Sequence, residues 1–267
     1  MEQKKWNRND RRPPLRRAQE PSEAAENMLE GRNAVQEALA AGRPIDKLYI
    51  AAGETDRALA RLVAMAKEAG AAVVETDRRK LDQLSATGAH QGVVAMVAAH
   101  AYATVDEILE NAKSRGEAPL IVLCDDLSDP HNLGAIIRTA ECAGAHGVII
   151  PKRRSAGLTA VVDKASAGAL EHMAIARVPN LVAAIETLKK NGLWIYGTAA
   201  EGSNELWKTD LTGPACIVIG SEGSGISRLV REKCDFLVSI PLHGQISSLN
   251  ASAAAAVLLY EALRQRS

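Results

Sequence analysis

The sequence predicts an α/β protein in which a large parallel sheet, covered by helices on both faces, follows a smaller α/β module. From Leu120 onward, short apolar β-branched runs alternate with helical segments, which is the pattern of parallel βαβ units. The run Leu120–Cys124 is apolar throughout, as expected of a strand buried on both faces. Apolar residues make up 47% and charged residues 24% of the chain, as in soluble globular proteins.

The chain of 267 residues divides into four parts. Residues 1–25 are charged and proline-rich, with almost no apolar side chains, so we expect a disordered basic extension. Residues 26–99 form the small module, and residues 100–117 form a linker that contains a helix. Residues 118–267 form the larger domain, which is long enough for a core of its own.

Within the small module, hydrophobic spacing and turn residues predict three helices and three strands. The first helix covers 33–40, and the second covers 56–69 and ends at Gly70. In the linker, Thr104 can cap a helix that continues to Lys113. The remaining elements of the module are a helix over 78–84 and strands over 47–50, 72–74 and 92–98.

In the larger domain, strands and helices alternate from Leu120 to the C-terminus. Residues 129–134 are predicted as a loop after the first strand, residues 152–155 as a basic loop, and Leu206 with Trp207 as part of another loop. The predicted strands cover 120–124, 147–150, 175–178, 193–198, 217–219 and 236–240. The predicted helices cover 135–143, 159–166, 181–190, 227–233 and 249–264.

Composition and spacing exclude several classes of function. No apolar run approaches the roughly 18 residues of a membrane helix, and the basic N-terminus lacks the apolar stretch of a secretory signal, so we expect a cytoplasmic protein. The four cysteines form no Cys-x-x-Cys pair, which predicts a protein without a bound metal. Aromatic residues are only 3% of the chain, which argues against single-strand binding by rows of stacked bases.

A glycine-rich loop follows a late strand of the larger domain. Residues 220–225 contain three glycines and one carboxylate, Glu222, directly after an apolar run that ends at Ile219. Open parallel sheets bind ligands where such loops leave the strand ends, so we expect a small-molecule site here. The first strand is not followed by the Gly-x-Gly-x-x-Gly fingerprint of dinucleotide binding. The loop also lacks Lys and Arg, which favours a cofactor with an amino group, hydroxyls and a purine over one rich in phosphate.

Three segments of this domain together resemble one enzyme family. They span residues 132–140, 219–225 and 240–252, with the sequences NLGAIIRTA, IGSEGSG and IPLHGQISSLNAS. In this order they resemble the three motifs of the SpoU-type RNA ribose 2′-O-methyltransferases of the SPOUT superfamily. The resemblance covers residues 118–267, and residues 27–99 are similar to the L30e-like substrate-binding module that one branch of the family carries.

The resemblance implies a fold, a cofactor and a substrate that composition does not reveal. Family members have a trefoil knot at the C-terminal end of the sheet, bind S-adenosyl-L-methionine in the knotted loops and form homodimers. The implied reaction is methyl transfer to the ribose 2′-hydroxyl of RNA. The expected target is a guanosine in 23S rRNA, with tRNA or another rRNA site as the alternative. The implied chemistry requires no metal.

Individual residues take expected roles from these motifs and from local chemistry. By resemblance, Arg138 is the family's catalytic arginine, whose guanidinium can hold an RNA phosphate or stabilise a developing alkoxide. The expected catalytic residues are Asn132, Arg138, Glu222, Ser248 and Asn250. The expected cofactor-binding residues are Thr198, Gly220, Glu222, Gly225, Ile240 and Leu249. The expected RNA-binding residues are Arg32, His90, Gln91, Arg138, Lys152 and Arg153.

Several of these residues have a purely structural alternative. Asn132 can stabilise a loop as an Asx turn, Ser248 and Asn250 can cap the final helix, and Glu222 can be a solvated loop acid. The polar residues of the small module can likewise serve only to shape turns. Two other classes of function stay open, namely a non-catalytic RNA-binding protein of the same fold and a small-molecule α/β enzyme.

The basic extension generates a first test. Residues 1–19 carry seven Lys and Arg against two acidic residues. We predict that deleting residues 1–25 leaves the fold intact, weakens RNA binding and makes it less salt-dependent, because each phosphate that a basic residue neutralises releases counterions. Mobility-shift titrations of one RNA at several salt concentrations measure both effects. An unchanged affinity and an unchanged salt slope would show that the extension does not contact RNA.

Overall fold

The computed structural model describes residues 27–54, 56–85, 87–200 and 204–267. The predicted N-terminal extension, residues 1–25, lies outside these ranges. The described residues form two sheets, one of four strands and one of seven. No helix within these ranges is both long and apolar enough to cross a membrane.

The small module is a mixed sheet with helices packed against it. Its strands are β1 (Met28–Glu30), β2 (Ile45–Ala51), β3 (Ala72–Thr76) and β4 (Val93–Val97). Its helices are α1 (Arg32–Ala40), α2 (Arg57–Glu68) and α3 (Arg78–Leu84). The strand order is β1-β4-β2-β3, with β2 and β3 parallel and β4 antiparallel to both β1 and β2. The six predicted elements are present, and the three-residue β1 is additional.

Local sequence explains where α2 begins and which side it buries. The Asp56 carboxylate accepts a hydrogen bond from the backbone N–H of Leu59 at 2.9 Å, which caps the helix. Leu59, Leu62 and Ala66 recur at helical spacing, and all three are buried. They pack in one core with Leu48 of β2, so the amphipathic pattern of α2 holds the helix against the small sheet.

The linker segment contains helix α4 (Val105–Arg115), as predicted. Thr104 and Glu107 form a capping box at its start, which satisfies two backbone N–H groups. Ile108 is fully buried, and a Cβ at Gly147 would come within 2.6 Å of its side chain. The helix therefore packs closely on the larger domain.

The larger domain contains a seven-stranded sheet in which every pair of neighbouring strands is parallel. Its strands are β5 (Leu120–Cys124), β6 (Gly147–Pro151), β7 (Ile175–Val178), β8 (Trp194–Thr198), β9 (Asn204–Glu205), β10 (Ala215–Ile219) and β11 (Phe236–Ser239). Their order is β7-β6-β5-β10-β8-β11-β9. Along β5, Val122 belongs to one core, and Ile121 and Leu123 belong to another, because successive side chains face opposite sides of a sheet. The predicted α/β fold with a parallel sheet is confirmed.

Helices on both faces cover this sheet. They are α5 (Pro130–Cys142), α6 (Ala160–Ser166), α7 (Leu181–Lys190), α8 (Arg228–Arg231) and α9 (Ala251–Arg266). Leu133 of α5 and Leu258 of α9 lie in one core, whereas Ile185 of α7 and Ile108 of α4 lie in the other. Leu206, predicted to lie in a loop, begins a short 3-10 helix.

The prediction of a loop over 129–134 is wrong, because α5 begins at Pro130. The Asp129 carboxylate accepts a hydrogen bond from the backbone N–H of His131 at 3.0 Å, and proline is favoured in the first helical turn. Gly134 lies inside the helix for a packing reason. A Cβ at this position would come within 2.5 Å of the Ala165 side chain on α6, so the glycine permits close contact between two helices.

His146 is buried just before β6. Its Nδ1 accepts a hydrogen bond from the backbone N–H of Leu120 at 3.0 Å, and its Nε2 lies 3.0 Å from a carboxylate oxygen of Glu117. Since Nδ1 is an acceptor, the proton of the neutral ring is on Nε2 and is donated to Glu117. Burial lowers the pKa of His146, against the opposing effect of the Glu117 carboxylate.

We predict that the stabilising effect of neutral His146 is lost in acid. Because the folded-state pKa is depressed, the contribution is fully present above the unfolded pKa of about 6.5 and decreases as the pH falls through the folded pKa. Chemical denaturation of the wild type and His146→Gln across this range measures the effect, since Gln offers a similar acceptor and donor without titrating. The wild type should lose stability relative to the variant as the pH falls, and parallel curves would contradict the prediction.

Candidate active site

A cavity lies at the carboxyl ends of β8, β10 and β11. Its volume is ≈ 510 Å³, within the usual range for small-molecule and cofactor sites. The lining comes from these strand ends, the glycine loop 220–225, the segment 240–249 and the start of α9. The cavity therefore occupies the edge at which parallel sheets bind ligands, as the sequence predicts.

The glycine loop closes on itself. The backbone N–H of Ser221 donates to the Gly225 carbonyl at 3.1 Å, and the N–H of Gly225 donates to the Ser221 carbonyl at 2.9 Å. A Cβ at Gly220 would lie 2.2 Å from the Gly225 carbonyl carbon, so only glycine fits there. Gly225 has φ +65°, which glycine adopts without strain. This tight turn brings backbone atoms to the cavity wall.

One polar cluster joins the three motif segments. The Asn132 side-chain amide donates to Oε1 of Glu222 at 3.1 Å. The Asn250 amide donates to the same oxygen of Glu222 and to Oδ1 of Asn132, the latter at 2.9 Å. Asn132 is buried, whereas Glu222 faces the cavity. The motifs, distant in sequence, therefore meet through side-chain hydrogen bonds at one end of the cavity.

Asn250 has both of the roles considered for it. Its Oδ1 accepts hydrogen bonds from the backbone N–H groups of Ser252 and Ala253, at 2.9 and 3.3 Å, and caps α9. Its Nδ2 simultaneously donates to Glu222 and Asn132. Capping fixes the side chain, and the fixed side chain then presents its amide to the other two motifs.

Arg138 lies apart from this cluster. It is exposed on α5, and it makes no hydrogen bond or ion pair with any residue that the structure describes. Asn132 and Glu222 bind each other, and neither is hydrogen-bonded to Arg138 among the described residues. The guanidinium is consequently left available to solvent or to a partner.

The six residues expected to bind the cofactor all line the cavity. They are Thr198, Gly220, Glu222, Gly225, Ile240 and Leu249, and Ser248 joins them. The Thr198 hydroxyl donates to the Val218 carbonyl at 2.9 Å, which ties β8 to β10 near the cavity. Contact of these residues with a cofactor stays a prediction.

The small module places its expected RNA-binding residues in different environments. Arg32 donates to carboxylates of Glu54 at 3.0 Å and Asp56 at 2.6 Å, and to the Gln91 carbonyl at 3.2 Å. Gln91 is exposed, with φ +50°. The hydrogen bond from Arg78 is the main cause that lowers the pKa of Glu54, and the backbone N–H of Leu59 is the main cause that lowers the pKa of Asp56; Arg32 adds to both effects. Arg32 is thus held in an acidic pair, and Gln91 is at the surface.

The structure contradicts the expected RNA contact of His90. The side chain is buried, with 6% of its surface exposed. Its Nδ1 accepts a hydrogen bond from the backbone N–H of Gly92 at 3.0 Å, and its Nε2 lies 3.0 Å from Asp82. Both ring nitrogens are therefore engaged within the module, and His90 stabilises the turn before β4.

The basic loop after β6 points its two expected RNA-binding residues differently. Arg153 is exposed. Lys152 is half-buried, and its Nζ would lie 2.9 Å from a Cβ at Gly70 in the small module. Arg153 is accordingly the more accessible cation of this loop.

Sequence reasoning missed Arg231, the last residue of α8. It is the one cationic residue in the cavity lining, and Glu222 is the one anionic residue, among the residues that the structure describes. The Arg231 side chain has no hydrogen-bond or ion-pair partner in those same ranges. The sequence feature that could have identified Arg231 is its position in the short helix directly after the glycine loop. The basic residues of that helix are, however, equally typical of a solvated surface.

Comparison with known proteins supports an enzyme site. The SpoU methyltransferase AviRb from Streptomyces viridochromogenes, solved with S-adenosylmethionine, is 30% identical over 90% of each chain, with a TM-score of 0.57. An S-adenosylmethionine-bound rRNA methyltransferase from Sinorhizobium meliloti is 26% identical, covering 89% of this chain and 86% of that one, with a TM-score of 0.55. The Bacillus subtilis protein YacO, assigned to the TrmH family of tRNA/rRNA methyltransferases, is 47% identical over 88% of this chain and 94% of its own length.

The parallel sheet and the cavity at its carboxyl edge, together with these likenesses, define an S-adenosylmethionine-dependent RNA methyltransferase of the SPOUT class. The SpoU rRNA Methylase family matches residues 119–260. The family described as RNA 2′-O ribose methyltransferase substrate binding matches residues 28–103. The chain belongs to the SpoU rRNA Methylase family, and S-adenosylmethionine is its cofactor.

The chemistry of the cavity fits this cofactor. Ile219 and Val238 supply apolar wall, and the closed turn at Gly220 brings backbone groups to the surface of the cavity, which suits an adenosine. S-adenosylmethionine also carries an ammonium, a sulfonium and a carboxylate. Glu222 would hold the positively charged ammonium or sulfonium end, and Arg231 would hold the carboxylate. Hydrogen bonds between ionised groups of opposite charge are stronger than those between neutral groups.

We predict that Arg231→Gln weakens S-adenosylmethionine binding about tenfold, since hydrogen bonds to charged groups contribute roughly 1.5–3 kcal/mol. Calorimetry should be run with S-adenosylmethionine and with its decarboxylated analogue. The analogue should bind the wild type more weakly than the parent does, and the substitution should affect it little. Arg228→Gln is the matched control, because Arg228 is in the same helix and pairs with Glu232 at 2.7 Å. Equal losses for both ligands would contradict the assignment.

Proposed function

We propose that this protein transfers the methyl group of S-adenosyl-L-methionine to a ribose 2′-hydroxyl in RNA, and that the target is a guanosine in 23S rRNA. The observation that carries the proposal is the cluster of Asn132, Glu222 and Asn250. It places the three motif segments together at the mouth of a cavity that fits the methyl donor.

Methyl transfer to a ribose hydroxyl requires that the hydroxyl be positioned and that its developing negative charge be stabilised. A ribose hydroxyl is a poor nucleophile at neutral pH and must lose its proton as it attacks. The cofactor supplies an activated methyl group. The chain must therefore hold the hydroxyl in line and stabilise the oxygen as negative charge develops. Ser248, in the cavity lining, is suited to orient the ribose, and the Asn132 and Asn250 amides, which bond Glu222, would hold the motif segments around it.

Arg138 is the group that we propose to act on the substrate. Its guanidinium acts as a cation and hydrogen-bond donor that stabilises the alkoxide or holds an adjacent phosphate. Its exposure and lack of partners among the described residues leave all its donors free for RNA. We also propose that Arg153 and Lys152 in the basic loop, and Arg32 and Gln91 in the small module, contact the RNA.

Several wider features form part of the proposal. We propose the domain boundaries 26–99, 100–117 and 118–267, with an L30e-like fold for the first. The substrate-binding match over residues 28–103 supports the first boundary. We also propose a trefoil knot, a homodimer and a cytoplasmic location, as in the family that the motifs resemble. Asn250, which follows β11, donates a hydrogen bond to Glu222, which follows β10. This contact between the two loops is compatible with a knot.

Mapping ribose methylation on RNA from cells with and without this protein tests the proposed function. One 23S rRNA guanosine should lose its 2′-O-methyl group in the deletion strain and regain it when the gene is returned. Loss of a tRNA or another rRNA methyl group instead would correct the target. An unchanged methylation map would overturn the proposal.

We predict that Arg138→Ala retains S-adenosylmethionine binding and loses methyl transfer by about a hundredfold or more, because removing one transition-state donor typically costs that much. Calorimetry and single-turnover methylation of RNA measure the two effects. Arg115→Ala is the control, since Arg115 is an exposed helical arginine that bonds to Asn111 one turn away. Normal turnover by Arg138→Ala would remove Arg138 from the mechanism.

A further inference from the structure

Buried charged groups join the small module to the larger domain. Arg177 on β7 has 7% of its side chain exposed, and Asp46 on β2 has 1%. Nη1 of Arg177 donates to Oδ1 of Asp46. Nη2 donates to the backbone carbonyls of Ile45 at 3.1 Å and Gly70 at 3.3 Å. One guanidinium of the larger domain thus binds three acceptors of the small module.

Tyr102, in the linker, completes the cluster. Its hydroxyl donates to Oδ1 of Asp46 at 2.5 Å and accepts a hydrogen bond from the backbone N–H of Leu158 at 3.1 Å. Its ring centre lies 4.4 Å from Cζ of Arg177, a favourable cation–π distance. Burial is the main cause that raises the pKa of Tyr102 well above its usual range, so the phenol stays a donor.

The surroundings of this cluster leave little room for a second orientation. A Cβ at Gly157 would lie 2.0 Å from Oδ2 of Asp46. The backbone N–H of Ala99 donates to the Leu158 carbonyl at 2.6 Å, and that of Ala103 donates to the Ile175 carbonyl at 2.8 Å. The last residue of the small module and the linker are therefore both bonded to the larger domain, one on each side of Tyr102.

A buried ion pair is a poor source of stability, because the cost of desolvating two charges offsets much of their attraction. Its specific advantage is geometric, since a planar guanidinium satisfies several acceptors in one arrangement only. β7 is three strands from β10, or about 14 Å at the usual strand spacing. The orientation fixed at β7 therefore sets how RNA on the small module reaches the cavity at β10.

We propose that Arg177, Asp46 and Tyr102 are positioning residues, which hold the small module in the orientation that presents a bound RNA to the methyl-donor cavity. The proposal rests on the proposed function, because it requires RNA to contact both parts of the chain. It assigns these residues to substrate presentation and leaves S-adenosylmethionine binding to the cavity itself.

Arg177→Met tests the proposal, with Tyr102→Phe as the milder variant if Arg177→Met does not fold. Hydrogen exchange should become faster at the amides of Ala99 and Ala103, which donate to carbonyls of the larger domain. Exchange in β10 should stay unchanged. The KM for RNA should rise about tenfold, because a mobile module loses preorganisation. The kcat at saturating RNA and the affinity for S-adenosylmethionine should stay within about twofold. Arg228→Met, which removes an exposed ion pair, should change none of these.

A different pattern of results would overturn the proposal. Unchanged exchange at Ala99 and Ala103 would show that the cluster does not hold the module. A fall in kcat or in cofactor affinity with an unchanged KM would show a general structural role. A wild-type protein that methylates no RNA would refute the proposed function separately. In that case no KM can be measured, and the dissociation constant for RNA is compared instead. An equal dissociation constant for the wild type and Arg177→Met would overturn the positioning role.

Discussion

Oε1 of Glu222 is the acceptor on which the site depends. It receives hydrogen bonds from the side chains of Asn132 and Asn250, and the backbone N–H of Ala251 lies 3.4 Å away. Asn132 lies in α5, and Asn250 and Ala251 lie at the start of α9, so one carboxylate oxygen joins the glycine loop to the beginnings of two helices. Removing it would leave the buried Asn132 amide without its acceptor, and an unsatisfied buried polar group costs about 1–3 kcal/mol. The start of α5, the cap of α9 and the wall of the cavity all depend on this shared atom.

Features determined by local sequence could be predicted well. The continuous apolar run of β5 and the alternation of strands and helices are sufficient for a parallel sheet. The position of the glycine loop at a strand end is sufficient for a cavity at the carboxyl edge. The six expected cofactor residues, most of them assigned through the family resemblance, also line that cavity. The cap at Thr104 and the helix after it were likewise visible in a few neighbouring residues.

Features determined by contacts between distant residues could not be predicted. Gly134 resembles a loop residue until α6 is known to lie against it. His90 looks like a surface ligand until its partners, Asp82 and the Gly92 amide, are in place. Arg231 and Arg177 are ordinary basic residues in the sequence. Arg231 faces a cavity and Arg177 is buried because the sheet brings remote segments together.

The docking contact between the two parts of the chain has a consequence for how the protein can evolve. Among the described residues of the small module, Arg177 binds the backbone carbonyls of Ile45 and Gly70 and one side chain, Asp46. Backbone carbonyls are present whatever the amino acid. The surface that carries Arg32 and Gln91 is therefore free to change its side chains while the docking stays the same. If that surface selects the RNA as we propose, a lineage can acquire a different RNA target by substitutions there, without rebuilding the contact between the two parts of the chain.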